Sequence, residues 1–218
     1  MKINIAIDGP SAAGKSTIAD LLAEKLGYNH LDTGAMYRAV GYNCKLKGIK
    51  DDDEKNIVSM IENMDLQMLL DGRVILDGSD ISDVIRTNEV SMLASNVSKL
   101  QGVRKALVSM QQKICKDGGY ILDGRDIGTV VLKDAPVKIY MIASAEARAK
   151  RRVIQDKEKG IEEDYDKILA DIEARDYQDS HRENSPLKKA DDAIEIDTSD
   201  LTLNETFEKV LKIVEEKL

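Results

Sequence analysis

The chain is poor in the residues that build disulfide frameworks and histidine–cysteine metal centres. Its 218 residues include two cysteines, two histidines, three prolines and one phenylalanine, and they include no tryptophan. Cys44 and Cys115 lie far apart and form no C-x-x-C pair, so we expect free thiols in a reducing compartment. His30 and His181 have no cysteine or second histidine near them, which argues against a metal site of this kind.

Long apolar runs are also missing, which excludes a membrane-spanning helix. A strand pattern begins within three residues of the N-terminus, so we expect no signal peptide and a cytoplasmic location. The formal net charge is −8, and an acidic protein binds nucleic acid and anionic membranes poorly. We therefore expect small-molecule partners, with any phosphate group held by local clusters of arginine.

The most informative segment is a glycine-rich loop near the N-terminus. Residues 9–17 read Gly-Pro-Ser-Ala-Ala-Gly-Lys-Ser-Thr, which matches the G-x-x-x-x-G-K-S loop of nucleoside-triphosphate enzymes. Apolar residues alternate before the loop as in a strand, at Ile3, Ile5 and Ile7. Others follow it at helical spacing as far as a helix-ending glycine, at Ile18, Leu21, Leu22, Leu26 and Gly27. This context favours phosphate binding over a chance match.

Each residue type in this loop has a chemical reason to be there. Gly9 and Gly14 let the backbone approach phosphate oxygens without a Cβ in the way. Backbone N–H groups of the loop and of the new helix face the anion. Lys15 can reach the β- and γ-phosphates, and the Ser16 hydroxyl can hold a Mg²⁺ ion that arrives with the nucleotide. The predicted nucleotide-binding set is Gly9, Pro10, Ser11, Ala12, Ala13, Gly14, Lys15, Ser16 and Thr17.

Strand and helix patterns alternate along much of the remaining chain. Further strands are predicted at residues 29–31, 120–122, 137–142 and 193–196. Helices are predicted at residues 35–47, 103–116 and 145–159, and in a C-terminal segment with Phe207, Val210, Leu211, Val214 and Leu218 on one face. Ser144 is the predicted N-cap of the third of these helices. The alternation predicts an α/β fold with a parallel sheet and a nucleotide over the carboxyl ends of its strands.

One stretch breaks this alternation. Residues 66–70 and 74–76 flank Asp71-Gly72, which is typical of a two-residue hairpin turn, and a second turn is predicted at Gly78-Ser79. We interpret this small antiparallel sheet and its flanking helices as an insertion between roughly residues 51 and 100. The pattern alone is equally compatible with a decorative excursion and with a subdomain that grips a substrate.

Four polar clusters are candidates for a second substrate site. They are residues 32–38 (Asp-Thr-Gly-Ala-Met-Tyr-Arg), the pair Ser95 and Arg104, residues 123–128 (Asp-Gly-Arg-Asp-Ile-Gly), and the helix face of Arg175, Asp179 and Arg182. Taken singly, the helix face also suits a solvated, ion-paired surface, and Asp123-Gly124 suits a plain turn. Several arginines gathered on an acidic protein favour an anion among them.

Residues 9–17, 32–38 and 123–131 together resemble the bacterial cytidylate kinases, and the resemblance runs from Ile3 to the last helix. The Asp-Gly-Arg-Asp and Thr-Gly-Ala-Met-Tyr-Arg segments are more specific than the phosphate loop, which many unrelated proteins share. The resemblance implies a P-loop α/β fold with a five-stranded parallel sheet in the order 2-3-1-4-5, flanked by helices. It also implies a core at residues 1–50 and 101–218, a monophosphate-binding insert at about 51–100 and a short helical lid at about 148–165.

The implied activity is that of a transferase of pyrimidine nucleotide metabolism, a monomer that moves the γ-phosphoryl group of ATP onto CMP or dCMP with Mg²⁺. Three residues match arginines that grip the CMP phosphate: Arg38, Arg125 and Arg182. Two match a pair that contacts the sugar: Arg175 and Asp179. Three match residues around cytosine: Ser95, Arg104 and Asp126. Thr33, where relatives often have serine, and Asp123 complete the expected substrate set.

The resemblance places three further arginines in the lid: Arg148, Arg151 and Arg152. Arg148 is expected to bind ATP. The expected catalytic set comprises Lys15, Arg125, Arg182, Arg151 and Arg152, since a planar guanidinium keeps its charge and binds phosphate oxygens in pairs. Which lid arginine reaches the transferring group stays open at this point.

The base preference has a chemical interpretation in the same residues. A carboxylate accepts from the N4 amino group of cytosine, and an arginine donates to N3 or O2. Uracil would turn its O4 toward the carboxylate and leave two acceptors facing each other, a mismatch that costs several kcal/mol in a dry site. Our hypothesis is that Asp126 and Arg104 select CMP over UMP.

Two other functions are weighed against this one. Another phosphate-loop kinase, acting on dTMP, shikimate or dephospho-coenzyme A, would differ in its acceptor site. A nucleotide-dependent switch would usually add a guanine-reading N-K-x-D motif, which the chain lacks. Arg104, Asp126 and the long insert favour a cytidylate kinase over both.

Overall fold

The computed structural model describes residues 2–158, 160 and 164–218. Within these ranges the chain forms eight strands, β1 (Ile5–Asp8), β2 (Asn29–Asp32), β3 (Leu66–Met68), β4 (Val74–Leu76), β5 (Ser79–Asp80), β6 (Tyr120–Gly124), β7 (Val137–Ile142) and β8 (Ile194–Asp197). The same ranges form eight α-helices, α1 (Lys15–Leu26), α2 (Thr33–Lys47), α3 (Glu54–Asn63), α4 (Asn88–Val97), α5 (Gln101–Ile114), α6 (Ala145–Glu158), α7 (Tyr165–His181) and α8 (Leu203–Glu215).

Five of these strands form a parallel sheet in the order β2-β6-β1-β7-β8. Counting only the strands of this sheet, the order is 2-3-1-4-5, which confirms the expected topology. The register places Asp32 beside Asp123 and Asp8 beside Gly124. The carboxyl ends of β1, β2 and β6 therefore meet at one edge, where three polar segments of the sequence come together.

Helices cover both faces of the sheet. On one face, α1 and α8 pack against the strands through a cluster that includes Ile18, Leu22 and Val210. On the other face, α2, α3 and α5 share a larger cluster that includes Met36 and Leu107. Burial of both faces explains the continuous apolar runs of β1 and β7, because a parallel sheet of this kind has no solvated side.

Most element boundaries lie within two residues of the predicted ones, and the differences have local causes. Helix α2 begins before residue 35, because the Asp32 side chain accepts from the Ala35 N–H at 2.9 Å and caps the helix earlier. Ser144 does cap α6, since its Oγ accepts from Ala147 N–H at 3.1 Å. Helix α5 begins and ends two residues before its predicted bounds. The predicted last residue of α6, Lys159, lies outside the described residues.

Residues 51–100 contain α3, the antiparallel sheet β3-β4-β5 and α4. The prediction of a two-residue turn at Asp71-Gly72 is wrong. The Gly72 N–H donates to Leu69 C=O at 3.0 Å and Gly72 has φ +83°, so the loop has the longer form that ends in a left-handed glycine. The second turn is centred one residue earlier than predicted, on Asp77-Gly78, where φ is positive at both residues.

The segment is held to the sheet by contact between α4 and α2. A Cβ on Gly41 would lie 2.9 Å from the Cβ of Leu93, so the helices approach more closely than a side chain at position 41 allows. This contact fixes α4, and with it Ser95, against the wall formed by α2.

The described residues form no helix with both the length and the apolar character that crossing a bilayer requires. Cys44 and Cys115 are free thiols, as predicted, and the structure shows that both are buried. Burial, with a smaller contribution from Asp51, raises the pKa of the Cys44 thiol to about 11. The thiol is therefore protonated and unreactive at neutral pH.

Candidate active site

A cavity of about 650 Å³ opens at the edge of the sheet where β1, β2 and β6 end. Every residue predicted to bind the acceptor lines it: Thr33, Arg38, Ser95, Arg104, Asp123, Arg125, Asp126, Arg175, Asp179 and Arg182. The alternative of a solvated surface for the last three does not hold, because Asp179 is only 5% exposed. Arg182 lies just beyond the end of α7 in extended backbone, so it reaches the cavity from a loop rather than from the helix face.

The phosphate loop forms one end of the cavity. Its lining residues are Ser11, Ala12, Lys15 and Ser16. Gly9 has φ +149°, and a Cβ there would lie 2.0 Å from the Met141 carbonyl oxygen. Gly14 has φ +90° where α1 begins. Both predicted glycines therefore occupy positions that other residues could adopt only with strain, and the loop leads directly into the N-terminus of α1.

Lys15 is a buried cation that has no carboxylate partner among the described residues. Its Nζ donates to the Pro10 carbonyl of the same loop at 2.6 Å, and the residue is 5% exposed. Burial and the nearby Arg125 guanidinium lower the pKa of Lys15 to about 7. An anion in front of the loop would supply the missing negative charge and restore the fully charged form.

Four polar side chains form a hydrogen-bonded chain beside the loop. Ser16 Oγ donates to Asp123 Oδ2 at 2.8 Å, and His30 Nε2 lies 2.8 Å from Asp123 Oδ1. The other ring nitrogen, Nδ1, lies 2.7 Å from Asp20 Oδ1. Burial opposes the charged imidazolium, but the hydrogen bonds to Asp123 and Asp20 outweigh it and raise the pKa of His30 to about 10. No role for His30 was predicted, because its partner Asp123 lies 93 residues away in the chain.

Asp8, at the end of β1, supports the floor of the cavity. Its carboxylate accepts from the Ile127 N–H at 2.8 Å and from the Gly128 N–H at 2.7 Å. Burial outweighs these bonds and raises the pKa of Asp8 to about 6. The residue ties the first strand to the segment that follows β6. No role was predicted for Asp8, although its position at the end of the first strand was a usable signal.

The middle of the cavity holds four arginines, Arg38, Arg125, Arg175 and Arg182. Arg38 Nη2 donates to Asp32 at 2.7 Å, and Arg125 Nε donates to Asp179 at 2.8 Å. Arg182 lies 3.8 Å from the carboxylates of both Asp179 and Asp126. Among the residues that the structure describes, three buried guanidinium nitrogens of this group have no hydrogen-bond partner: Arg38 Nε, Arg175 Nε and Arg182 Nη2. Burial and the neighbouring Arg125 lower the pKa of Arg175 to about 10, so this cluster favours an added anion.

The far end of the cavity is formed by a buried ion pair. Arg104 Nη2 donates to Asp126 Oδ2, and Nη1 of the same arginine donates to the Ser98 carbonyl at 3.2 Å. The Arg104 guanidinium also lies over the Tyr37 ring, 5.5 Å from its centroid. Ser95 Oγ accepts from Gln178 Nε2 of α7. Tyr37 lies within the candidate segment 32–38 but had no predicted role, and Gln178 was missed because nothing local in the sequence links it to residue 95.

The structure separates the three arginines predicted for the lid. Arg152 lines the cavity, where it donates to Asp156 at 2.8 Å and to Asn88 at 3.2 Å. Arg148 is buried against the phosphate loop and donates to Asp176 at 2.6 Å and to the Ser11 carbonyl at 3.3 Å.

Arg151 instead donates to Thr198, after β8, with Nη1 at 3.2 Å from the hydroxyl oxygen. Of the three, Arg152 alone lines the cavity in this conformation.

The hairpin of the insertion also contributes to the cavity. Its tip lines the wall with Met68, Leu69, Leu70, Asp71 and Gly72. Leu70 is 76% exposed, so its side chain is available to a ligand in the cavity. This placement favours the substrate-gripping interpretation of the insertion over the decorative one.

Comparison with known proteins adds independent findings. A family model described as cytidylate kinase matches residues 5–216. A cytidylate kinase from Caldicellulosiruptor bescii is 53% identical over 215 residues, which cover 97% of this chain and 95% of the relative. One from Bacillus subtilis is 45% identical over 219 residues, which cover 99% of this chain and 98% of the relative. An uncharacterized protein from Eubacterium ventriosum superposes with a TM-score of 0.53 at 14% identity, over 99% of both chains, and shows likeness of fold alone.

Proposed function

The chain belongs to the cytidylate kinase family, and we propose that it transfers the γ-phosphoryl group of ATP to CMP or dCMP, giving ADP and CDP or dCDP. One observation supports this most directly. A phosphate loop and a cluster of buried arginines face the same cavity, which ends in a buried Arg104–Asp126 pair. The cavity thus provides binding sites for two phosphorylated ligands and for one base that has a hydrogen-bond donor beside an acceptor.

On the donor side, the loop N–H groups and Lys15 would bind the triphosphate. The family relationship implies Mg²⁺, and the residues present fit it. Ser16 and Asp123 offer a hydroxyl and a carboxylate oxygen side by side, the hard oxygen donors that this ion prefers, and few protein ligands are needed when ATP supplies the rest. When bound, the ion would neutralise charge on the β- and γ-phosphates. The described residues form no cluster of three or more acidic, histidine or cysteine side chains that would hold a metal by themselves.

On the acceptor side, Arg38, Arg125 and Arg182 would bind the phosphate of the monophosphate. Arg175 and Asp179 would contact its sugar. A phosphate oxygen of CMP is already ionised, so the nucleophile needs no strong general base. The main tasks of the protein are to align the two phosphates and to stabilise the charge that spreads over the transferring oxygens.

Exclusion of water would complete the mechanism. We propose that residues 148–165 act as a lid, that residues 51–100 close over the monophosphate, and that residues 1–50 and 101–218 form the core. Arg152 supports this division, since it already donates across the cavity to Asn88 at the start of α4. Closure would keep the γ-phosphoryl group from water. We also propose a cytoplasmic monomer, consistent with its two buried free thiols.

A coupled assay of ADP release tests the proposal. The purified protein is given Mg-ATP with CMP, dCMP, UMP, AMP, dTMP or shikimate in turn. We expect strong turnover with CMP and dCMP and little with the others. Turnover with another acceptor would refute the assignment of the base site, and absence of turnover by folded, ATP-binding protein would refute the kinase proposal.

A further inference from the structure

We propose that His30 is a positioning residue that holds the Asp123 carboxylate with its second oxygen turned toward Ser16 and the bound nucleotide. The inference rests on the proposed function, because it concerns the donor side of the same cavity. It extends that function to a histidine whose sequence context gave no hint of a role.

The geometry consists of four side chains from three adjacent elements. Helix α1 provides Ser16 and Asp20, which are one helical turn apart and therefore on one face. Strand β2 provides His30, and the neighbouring strand β6 provides Asp123. The imidazole lies between two carboxylates, with Nε2 2.8 Å from Asp123 and Nδ1 2.7 Å from Asp20. Neither carboxylate can donate when ionised, so both ring nitrogens act as donors.

The arrangement leaves Asp123 little freedom. His30 occupies Oδ1, the Ser16 hydroxyl occupies Oδ2, and the carboxylate side chain is 6% exposed. Ser16 follows Lys15 at the end of the phosphate loop, so Oδ2 is the carboxylate oxygen bonded to the loop segment. A carboxylate fixed in this way presents the same oxygen to an arriving magnesium–nucleotide complex each time, without a further cost in conformational entropy.

A second reason for fixing Asp123 is the set of cations around it. Lys15 and Arg125 both lie close enough to be stabilised by its charge. Without His30, the carboxylate would be free to turn toward either cation. It would then neutralise a charge that the phosphates need, and its oxygen would leave the Ser16 side. His30 therefore keeps the Asp123 carboxylate away from Lys15 and Arg125, which attract it in the nucleotide-free protein.

Two substitutions separate positioning from a merely structural role. In His30→Gln, the amide nitrogen can reach the place of Nε2 and still donate to Asp123. In His30→Asn, the shorter side chain can place its amide near Nδ1 and donate only to Asp20. Both variants are polar and smaller than histidine, which makes them a matched pair. His181→Asn serves as a surface control, because that exposed ring stacks on Tyr177 away from the phosphate loop.

The readout is the dissociation constant of ADP, measured by calorimetry in the presence of magnesium chloride and again in EDTA. For His30→Asn we expect the affinity gained from magnesium to fall by about tenfold or more, the usual range for removal of a residue that orients a metal ligand. His30→Gln should stay within about threefold of the wild type. The magnesium concentration for half-maximal turnover should change in parallel, with kcat largely recovered at saturating magnesium.

Equal magnesium dependence in the two variants would overturn the inference, even if both lower the melting temperature. ¹⁵N NMR of the wild type is a second test that needs no variant. Adding magnesium chloride to the ADP complex should shift the Nε2 resonance of His30 more than Nδ1, and equal shifts would overturn the inference. The wild type also tests the proposed function separately: failure to phosphorylate CMP refutes that function, whereas normal turnover with no difference between Asn and Gln refutes only the role of His30.

Discussion

The donor and acceptor ends of the cavity are built in opposite ways. The donor end is one continuous segment, residues 9–17, with backbone N–H groups and a lysine whose nearest partner is the Pro10 carbonyl. The acceptor end combines side chains from α2, α5, the β6 end and α7, and most of its arginines already pair with a carboxylate. The donor end carries a positive charge, on Lys15, that has no carboxylate partner among the described residues. At the acceptor end, carboxylates neutralise most of the arginines, and the site is defined mainly by the geometry of these pairs.

This difference separates two kinds of mutational effect. Loss of the donor cation should remove activity and relieve the nucleotide-free fold of a buried charge. Loss of a carboxylate at the acceptor end should change selectivity and also leave a buried arginine without a partner. The predictions below test this contrast, beginning with the largest expected effect.

Removal of the donor cation should affect catalysis far more than acceptor binding. We expect Lys15→Ala to lower kcat by about 10³-fold or more, because the residue stabilises charge on the transferring phosphates. The dissociation constant of CMP alone, measured by calorimetry, should stay within about threefold, since the acceptor end uses other residues. Circular dichroism provides the folding control. Loss of CMP binding by a folded variant would show that the two ends are not independent.

Asp126→Asn should change base selectivity, because an amide can donate to the O4 of uracil where the carboxylate cannot. We expect the ratio of kcat/KM for CMP to that for UMP to fall by about 10- to 100-fold. Steady-state assays with both acceptors measure the ratio. Asp134→Asn, on an exposed loop outside the cavity, is the matched control. An unchanged ratio in folded Asp126→Asn protein would contradict the assignment of Asp126 to the base.

The buried Lys15 should limit the stability of the nucleotide-free protein. Its pKa falls from the ordinary 10.5 to about 7 on folding, so between these values the unfolded chain binds more protons and the free energy of unfolding rises with pH. Lys15→Met should therefore raise that free energy by about 4 kcal/mol at pH 7, with the gain fading toward pH 10.5. Urea unfolding across this range measures the effect.

Exposed Lys150→Met is the control for that measurement and should show no such gain. A Lys15→Met protein that is less stable than the wild type at pH 7 would mean that the hydrogen bond to Pro10 outweighs the cost of burying the charge.

Replacement of the lid arginines Arg152 and Arg151 should have different effects on kcat. Arg152 lines the cavity, whereas Arg151 holds Thr198 behind the loop. Arg152→Ala should lower kcat by about tenfold with little change in the KM for CMP, as expected for a group that acts mainly in the closed complex. Arg151→Ala should have a smaller effect on kcat. The reverse order would indicate that the lid rearranges on closure so that Arg151 replaces Arg152.

Much of the fold was accessible from the sequence because its signals are local. Strand β7 coincides with the predicted residues 137–142, and Gly27 ends α1 as predicted. The turn at Asp71-Gly72 was misjudged because a hairpin loop with a left-handed glycine also fits that dipeptide. The strand order came from the family resemblance, since periodicity within a strand carries no information about its neighbours.

The candidate site also combines features that the sequence predicts with features that depend on tertiary structure. The sequence by itself determined the phosphate loop, because strand, glycines, lysine and helix follow one another within about twenty residues and interact locally. The sequence also identified the residues of the acceptor site, through motifs that resemble a known family. It could not determine the contact of His30 with Asp123, which joins residues 93 positions apart, or that of Gln178 with Ser95. Tertiary structure decided these contacts, because they depend on which strands become neighbours and on how the helices pack around the edge of the sheet.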